Sequence, residues 1–76
     1  MNYIYKLTES TVIDENGVSH IGYGIAAYVI GESEPRRSVA DIFTKREEAE
    51  NFVNACNLLE LDIDHLDDVV YDAVNA

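Results

Sequence analysis

The segment Asp14-Glu15-Asn16-Gly17 separates two runs, residues 2–13 and 18–30, that are rich in Tyr, Ile, Val and Thr. Asn-Gly between two such runs is a strong β-hairpin signal, because both residues tolerate the positive φ that a tight turn requires. Loop length then decides which side chains share a face. A two-residue Asn16-Gly17 turn would set Tyr3, Tyr5 and Leu7 beside His20, Gly22 and Gly24. A three-residue loop with Gly17 in the left-handed region and a G1 bulge shifts the register by one. Tyr3, Tyr5, Leu7 and Ile13 then join Ile21, Tyr23, Ile25, Ala27 and Val29, while Lys6, Thr8, Ser10, His20, Gly22, Gly24 and Ala26 share the other face. The second arrangement separates apolar from polar far better, so the sequence predicts the bulged loop.

Gly31-Glu32-Ser33-Glu34-Pro35-Arg36 reads as a turn. A shorter third strand is expected over about Arg37–Phe43, with Val39/Phe43 and Ala40/Ile42 equally eligible to face inward. The period then changes. Thr44-Lys45-Arg46-Glu47 matches a capping box, in which hydroxyl and carboxylate satisfy the orphan N–H groups of a helix start. Ala49, Phe52, Val53, Cys56 and Leu59 recur at helical spacing, predicting a helix to about Leu59. Asp62 or Asp64 is expected to cap a second helix with the stripe Leu66, Val69, Val70, Ala73 and Val74. Both stripes need an apolar partner, and the odd face of the hairpin offers one. The expected fold is therefore α+β: one small domain over residues 1–76, a three-stranded antiparallel β-meander followed by two α-helices packed on one face (β-β-β-α-α).

Composition narrows the class. The chain is 47% hydrophobic, and that apolar content is periodic, which argues against disorder despite a formal charge of −10. A single cysteine, Cys56, excludes an internal disulfide and fits a reducing compartment. Met1-Asn2-Tyr3-Ile4-Tyr5-Lys6 lacks the basic and apolar regions of a signal peptide. The longest stretch without charged residues, from Val18 nearly to Ile30, contains His20 and glycines and makes a poor membrane span. A cytoplasmic protein without membrane contact is expected.

The surplus charge sits at one end. Through Arg46 the chain has six acidic and five basic residues; from Glu47 onward it has nine carboxylates and no Lys or Arg. Glu60, Asp62, Asp64, Asp67, Asp68 and Asp72 form the candidate interaction surface, against the plainer reading of a solvated face. No other residue set reaches the specificity of a catalytic or metal motif. His20 reads as a surface histidine with no local carboxylate. Asp62-Ile63-Asp64-His65 matches no metal loop and lacks the Gly an EF-hand requires; helix capping explains its carboxylates. Cys56 falls on an apolar stripe as a buried thiol. Gly22-Tyr23-Gly24 lies within a strand, where glycine marks a bulge or a close approach from outside. Arg36-Arg37 and Lys45-Arg46 are expected to pair with the acidic helices. No catalytic residue, cofactor or metal is expected.

Tyr23-Gly24-Ile25, Asp41-Ile42-Phe43-Thr44, Cys56-Asn57, Leu61 and His65-Leu66-Asp67-Asp68-Val69-Val70-Tyr71-Asp72 resemble a family of short proteins of clostridia-like Gram-positive bacteria. That family is known only as a domain of unknown function. The chain departs from the pattern at Ile63, where Pro would suit a helix start, and at Phe43, where a small polar residue would suit a strand end. The resemblance implies no activity. It implies a shared structural corner of Cys56, Asn57 and His65, expected at the joint between the helices, with Asn57 or His65 bonding loop backbone.

The expected function is a non-enzymatic protein–protein interaction or regulatory module. It would use the acidic helical face or the exposed sheet and bind another, basic protein rather than nucleic acid directly. The alternative is an acidic mimic of nucleic acid that inhibits a DNA- or RNA-binding protein. Ile4, Val12, Tyr28 and Ile30 are expected on the sheet face away from the helices, where a homodimer could form.

Overall fold

Strands β1 (Tyr3–Ile13) and β2 (Ser19–Val29) pair antiparallel along their whole length, from Tyr3 opposite Val29 to Ile13 opposite Ser19. Strand β3 (Arg37–Phe43) joins the far side of β2, giving a meander in the order β1-β2-β3. The computed structural model describes residues 3–75; Met1, Asn2 and Ala76 lie outside them, and with them the first residue of the predicted first run.

The hairpin loop takes the three-residue form. Asp14 N–H donates to the Val18 carbonyl at 3.0 Å, and Gly17 N–H donates to the Asp14 carbonyl at 3.0 Å. Gly17 adopts φ +78°, where a side chain would be strained. The Asp14 carboxylate steadies the loop by accepting from the N–H groups of Asn16 and Val18, both at 2.9 Å. Odd positions therefore meet odd positions. The turn that leaves β2 has Gly31 at φ +92° and a Glu32 N–H to Val29 carbonyl bond of 3.0 Å, the geometry of a type II turn.

Helix α1 (Arg46–Leu58) and helix α2 (Leu66–Val74), the latter preceded by a single 3₁₀ turn (Ile63–His65), both cover the odd face of the hairpin. The core joins Tyr5, Ile25 and Ala27 of the sheet to Val53 and Cys56 of α1 and to Leu66 and Val70 of α2. Phe43 at the end of β3 tilts against Phe52 of α1, ring centroids 5.4 Å apart, which fixes where the helix leaves the sheet.

Three local expectations need correction. The first residue of α1 is Arg46 and its N-cap is Lys45, with no side-chain cap bond. The Lys45 carbonyl accepts the first helical bond, from Ala49 N–H, so the Thr44 hydroxyl stands one residue too far upstream to form the capping box. Leu59 and Val74 end the predicted stripes but are exposed, Leu59 as the C-cap of α1 and Val74 as the last residue of α2. Ile13 and Ile21 lie on the apolar face yet are exposed, because no helix reaches that end of the hairpin.

The third strand resolves its own ambiguity with a bulge. Ile25 pairs with Val39 while Tyr23 pairs with Phe43, so two residues along β2 span four along β3. Two extra residues preserve parity, so Val39 and Phe43 stay on the helix side, and Ile42 within the irregularity also reaches the core. Asp41, at φ +55°, makes the reversal. Ala40 and Asp41 fold over the outer face, and the glycines opposite make room for them. A Cβ on Gly24 would lie 2.1 Å from the Val39 carbonyl oxygen, and one on Gly22 would lie 2.3 Å from Asp41 Oδ1. The close approach anticipated at Gly22-Tyr23-Gly24 comes from the chain's own third strand.

Gly24→Ala is expected to cost about 2 kcal/mol or more, since the obstructing atoms are backbone. Gly22→Ala should cost less, because the Asp41 carboxylate can swing away. Urea unfolding of both variants tests this; equal losses would mean that the bulge is free to shift along β2.

Candidate functional site

Helix α1 ends in a Schellman motif: Glu60 N–H donates to the Asn57 carbonyl at 3.1 Å and Leu61 N–H to the Cys56 carbonyl at 3.0 Å. The residue held in the left-handed conformation is Glu60, at φ +49°, rather than a glycine. The motif reverses the chain so that Leu61 folds back beside α1. Asp62 then caps the 3₁₀ turn by accepting from Asp64 N–H at 3.0 Å. The expected cap of the second helix is corrected: the N-cap of α2 is His65, without a side-chain cap bond, and neither Asp62 nor Asp64 caps α2 itself.

Tyr5 fixes this connection to the sheet. Its ring is buried and its hydroxyl donates to the Leu61 carbonyl at 2.5 Å. Its backbone N–H donates to Asn57 Oδ1 at 2.8 Å, and Asn57 Nδ2 donates to its carbonyl at 2.9 Å. The Asn57 amide thereby fills the place a fourth strand would take beside β1. The expected corner is corrected accordingly. Asn57 bonds the edge strand rather than a loop. His65 ends the 3₁₀ turn, exposed and without a side-chain cap bond. Cys56 alone of the three enters the core, with Leu66 beside it, and burial pushes its thiol pKa up.

Beside this anchor an apolar groove with a cavity volume of about 80 Å³ opens between α1 and α2, lined by Phe52, Ala55, Cys56, Leu59, Leu61 and Val69. Leu59 in this lining is 75% exposed, and Leu58, its neighbour in the sequence, is 83% exposed. Sequence reasoning missed the groove, although leucines at 58, 59 and 61 exceed what one helical stripe needs.

The candidate carboxylates divide into two groups. Asp67 of α2 pairs with Arg37 of β3, and Glu50 of α1 pairs with Arg46, which also reaches Glu9 of β1. Arg37 and Arg46 thus meet the acidic helices as expected, whereas Arg36 turns to Glu32 within its own loop, with bonds of 2.8 and 2.9 Å, and Lys45 makes no ion pair among the described residues. Among the described residues Glu47, Glu48, Glu60, Asp62, Asp64, Asp68 and Asp72 make no ion pair. Asp64, Asp68 and Asp72 follow at four-residue intervals, all exposed.

On the outer face the β3 bulge brings Asp41 Oδ1 to 3.9 Å from His20 Nε2, a carboxylate the sequence reading did not foresee there. Both side chains are exposed. Lys6 sits 4.8 Å from the Tyr28 ring centroid, and with it covers Ala26. Ile4 and Ile30 are exposed on this side, Val12 and Tyr28 half-buried. Among the described residues no three His, Cys, Asp or Glu side chains converge, and no helix is long and apolar enough to cross a membrane.

Comparison with known protein families, curated proteins and solved structures finds no match to this chain.

Asn57→Ala removes both bonds to Tyr5 and is expected to cost about 1–3 kcal/mol, against less than about 0.5 for His65→Ala. Thermal melts of the two variants check the difference. Burial pushes the Tyr5 phenol up to about 12, from an ordinary 10.0. The folded state keeps its proton where the unfolded chain loses it. The stabilisation is thus complete below about pH 10 and declines as the pH rises towards 12, by up to about 3 kcal/mol. Tyr5→Phe should be less stable near neutrality by about 1 kcal/mol, and it should lack this alkaline decline in unfolding titrations.

Proposed function

We propose that this chain is a non-enzymatic protein-binding module whose helical face receives a basic partner. The observation that carries this reading is the uncompensated charge of that face. Of nine carboxylates from Glu47 onward, two, Glu50 and Asp67, are held by the chain's own arginines, and the remaining seven make no ion pair among the described residues. Asp68 and Asp72 repel each other at four-residue spacing on α2, at a cost of a few tenths of a kcal/mol in an isolated helix, and Asp64 of the 3₁₀ turn precedes them. Cations from a partner would relieve that repulsion and be drawn to the surface from a distance.

The non-enzymatic reading is supported by what the reactive groups are doing. Cys56 is buried with its pKa raised, so it is a poor nucleophile. The unbridged thiol also fits a reducing cytoplasm. The resemblance to a family without assigned activity adds no reaction.

The test is capture of partners from a cell lysate at low and moderate salt, comparing the native chain with a variant carrying Asp64→Asn, Asp68→Asn and Asp72→Asn. The native chain should retain a basic protein at low salt and release it as salt rises, and the variant should not retain it. The variant should melt within about 1 kcal/mol of the native chain, since relieved repulsion offsets lost charge at the helix N-terminus. Displacement of the chain by DNA or RNA from a nucleic-acid-binding partner would mark the interaction as phosphate mimicry. Identical capture by both forms would overturn the acidic-face reading and move attention to the sheet.

A further inference from the structure

We infer that the groove between α1 and α2 is an anchor site for one aliphatic side chain of a basic amphipathic helix. This rests on the reading that the helical face binds a basic partner, and it specifies how. The lining residues Phe52, Ala55, Cys56, Leu59, Leu61 and Val69 offer no charged side chain. An apolar cavity of 150 Å³ holds a benzene ring, so a groove of about 80 Å³ suits a single aliphatic side chain better than an aromatic one. Leu59 of that lining is 75% exposed, and a second apolar contact one turn along a partner helix would cover it.

Charge chooses the occupant. Glu48 stands one turn before Phe52 on the same stripe of α1, Glu60 and Asp62 flank Leu61, and Asp68 and Asp72 bracket Val69 on α2. No Lys or Arg occurs in the sequence from Glu47 onward. A ligand that places an apolar side chain here must therefore set its neighbouring positions among carboxylates, which Lys or Arg satisfies. Local backbone chemistry selects helix over strand. The Schellman bonds already occupy the carbonyls of Cys56 and Asn57, and Asn57 fills the β1 edge at Tyr5. An extended peptide would find no backbone partner there and would leave its own N–H and C=O groups unpaired over an apolar floor. A helix satisfies those groups internally.

The experiment compares two helical peptides of about 16 residues, roughly four turns, equal in charge: one of leucine and lysine with a single apolar face, the other with alanine replacing every leucine. Binding is measured by calorimetry at about 0.15 M salt and repeated at low salt. The leucine peptide should bind at least about tenfold more tightly, as burial of one aliphatic side chain implies. It should also shift the methyl resonances of Leu59, Leu61 and Val69 in the native chain. Ala55→Phe, which fills the groove from an exposed position, should abolish the preference while leaving the melting temperature unchanged or raised. Equal binding of the two peptides, unmoved methyl resonances, or a preference that survives Ala55→Phe in a folded variant would each overturn the anchor site. If both peptides bind alike, the acidic-face reading stands without the groove. Absence of binding by both at low salt overturns the two together.

Discussion

Tyr5 is where the sheet and the helices are joined by direction as well as by burial. Three large side chains are fully buried, Tyr5, Ile25 and Leu66, and Tyr5 is the polar one. Hydrophobic contact alone would let a helix pair slide over the strand face, because burial has no preferred direction. The hydrogen bonds remove that freedom. Asn57 holds both backbone groups of Tyr5 while the phenol holds the Leu61 carbonyl, so the last turn of α1 and the chain just beyond it are pinned to one residue. Each such bond adds about 1 kcal/mol net, but leaving any of these groups unpaired in the interior would cost more. For a small domain without a disulfide, that asymmetry helps to select a single arrangement.

The remainder of the fold follows from where the helices end. They cover the Tyr3–Leu7 end of β1 and leave the far part of the hairpin as a two-stranded ribbon with Ile13, Val18 and Ile21 exposed. Such ribbons are marginal alone in water. This one is secured at its base by β3, whose bulge lies in the space kept clear by Gly22 and Gly24. Arg46 adds a strut, reaching from the start of α1 to Glu9. As an exposed pair it orients more than it stabilises.

What could be read in the sequence was whatever depended on periodicity or on a residue's own backbone preference. The register of the hairpin followed from Gly17 and the alternation of apolar side chains, the strand limits of β3 from its flanking turns, and the helix stripes from their spacing. What could not be read depended on contacts distant in sequence or on residues in conformations they do not favour. Asp41 and Glu60 both take positive φ without being glycine, so neither the bulge nor the Schellman reversal left its usual mark. Asn57 lies 52 residues from its partner Tyr5, a pairing that no local pattern encodes. The capping box at Thr44 misled because the motif fits the sequence, while the Phe43–Phe52 contact and the first helical bond place the start of α1 one residue later. The acidic set was legible residue by residue, but which members were neutralised depended on the placement of Arg37 and Arg46.

That placement gives the helical face its character. Both arginines link the helices to the sheet, and no Lys or Arg from Glu47 onward balances the carboxylates left over. Several of them are close in sequence to the residues that line the apolar groove, and beside an apolar surface their field is less screened than it would be in bulk water. Neither feature supports the fold. Leu58 and Leu59 bury little on folding, and Asp68 and Asp72 oppose one another along α2. A small domain has only a few kcal/mol of net stability with which to tolerate such costs. Exposed leucines and unrelieved charge would each be offset by one event, the arrival of a surface apolar at its centre and cationic at its edges. The pairing of the two features on one face, more than either alone, is what the proposed binding role rests on.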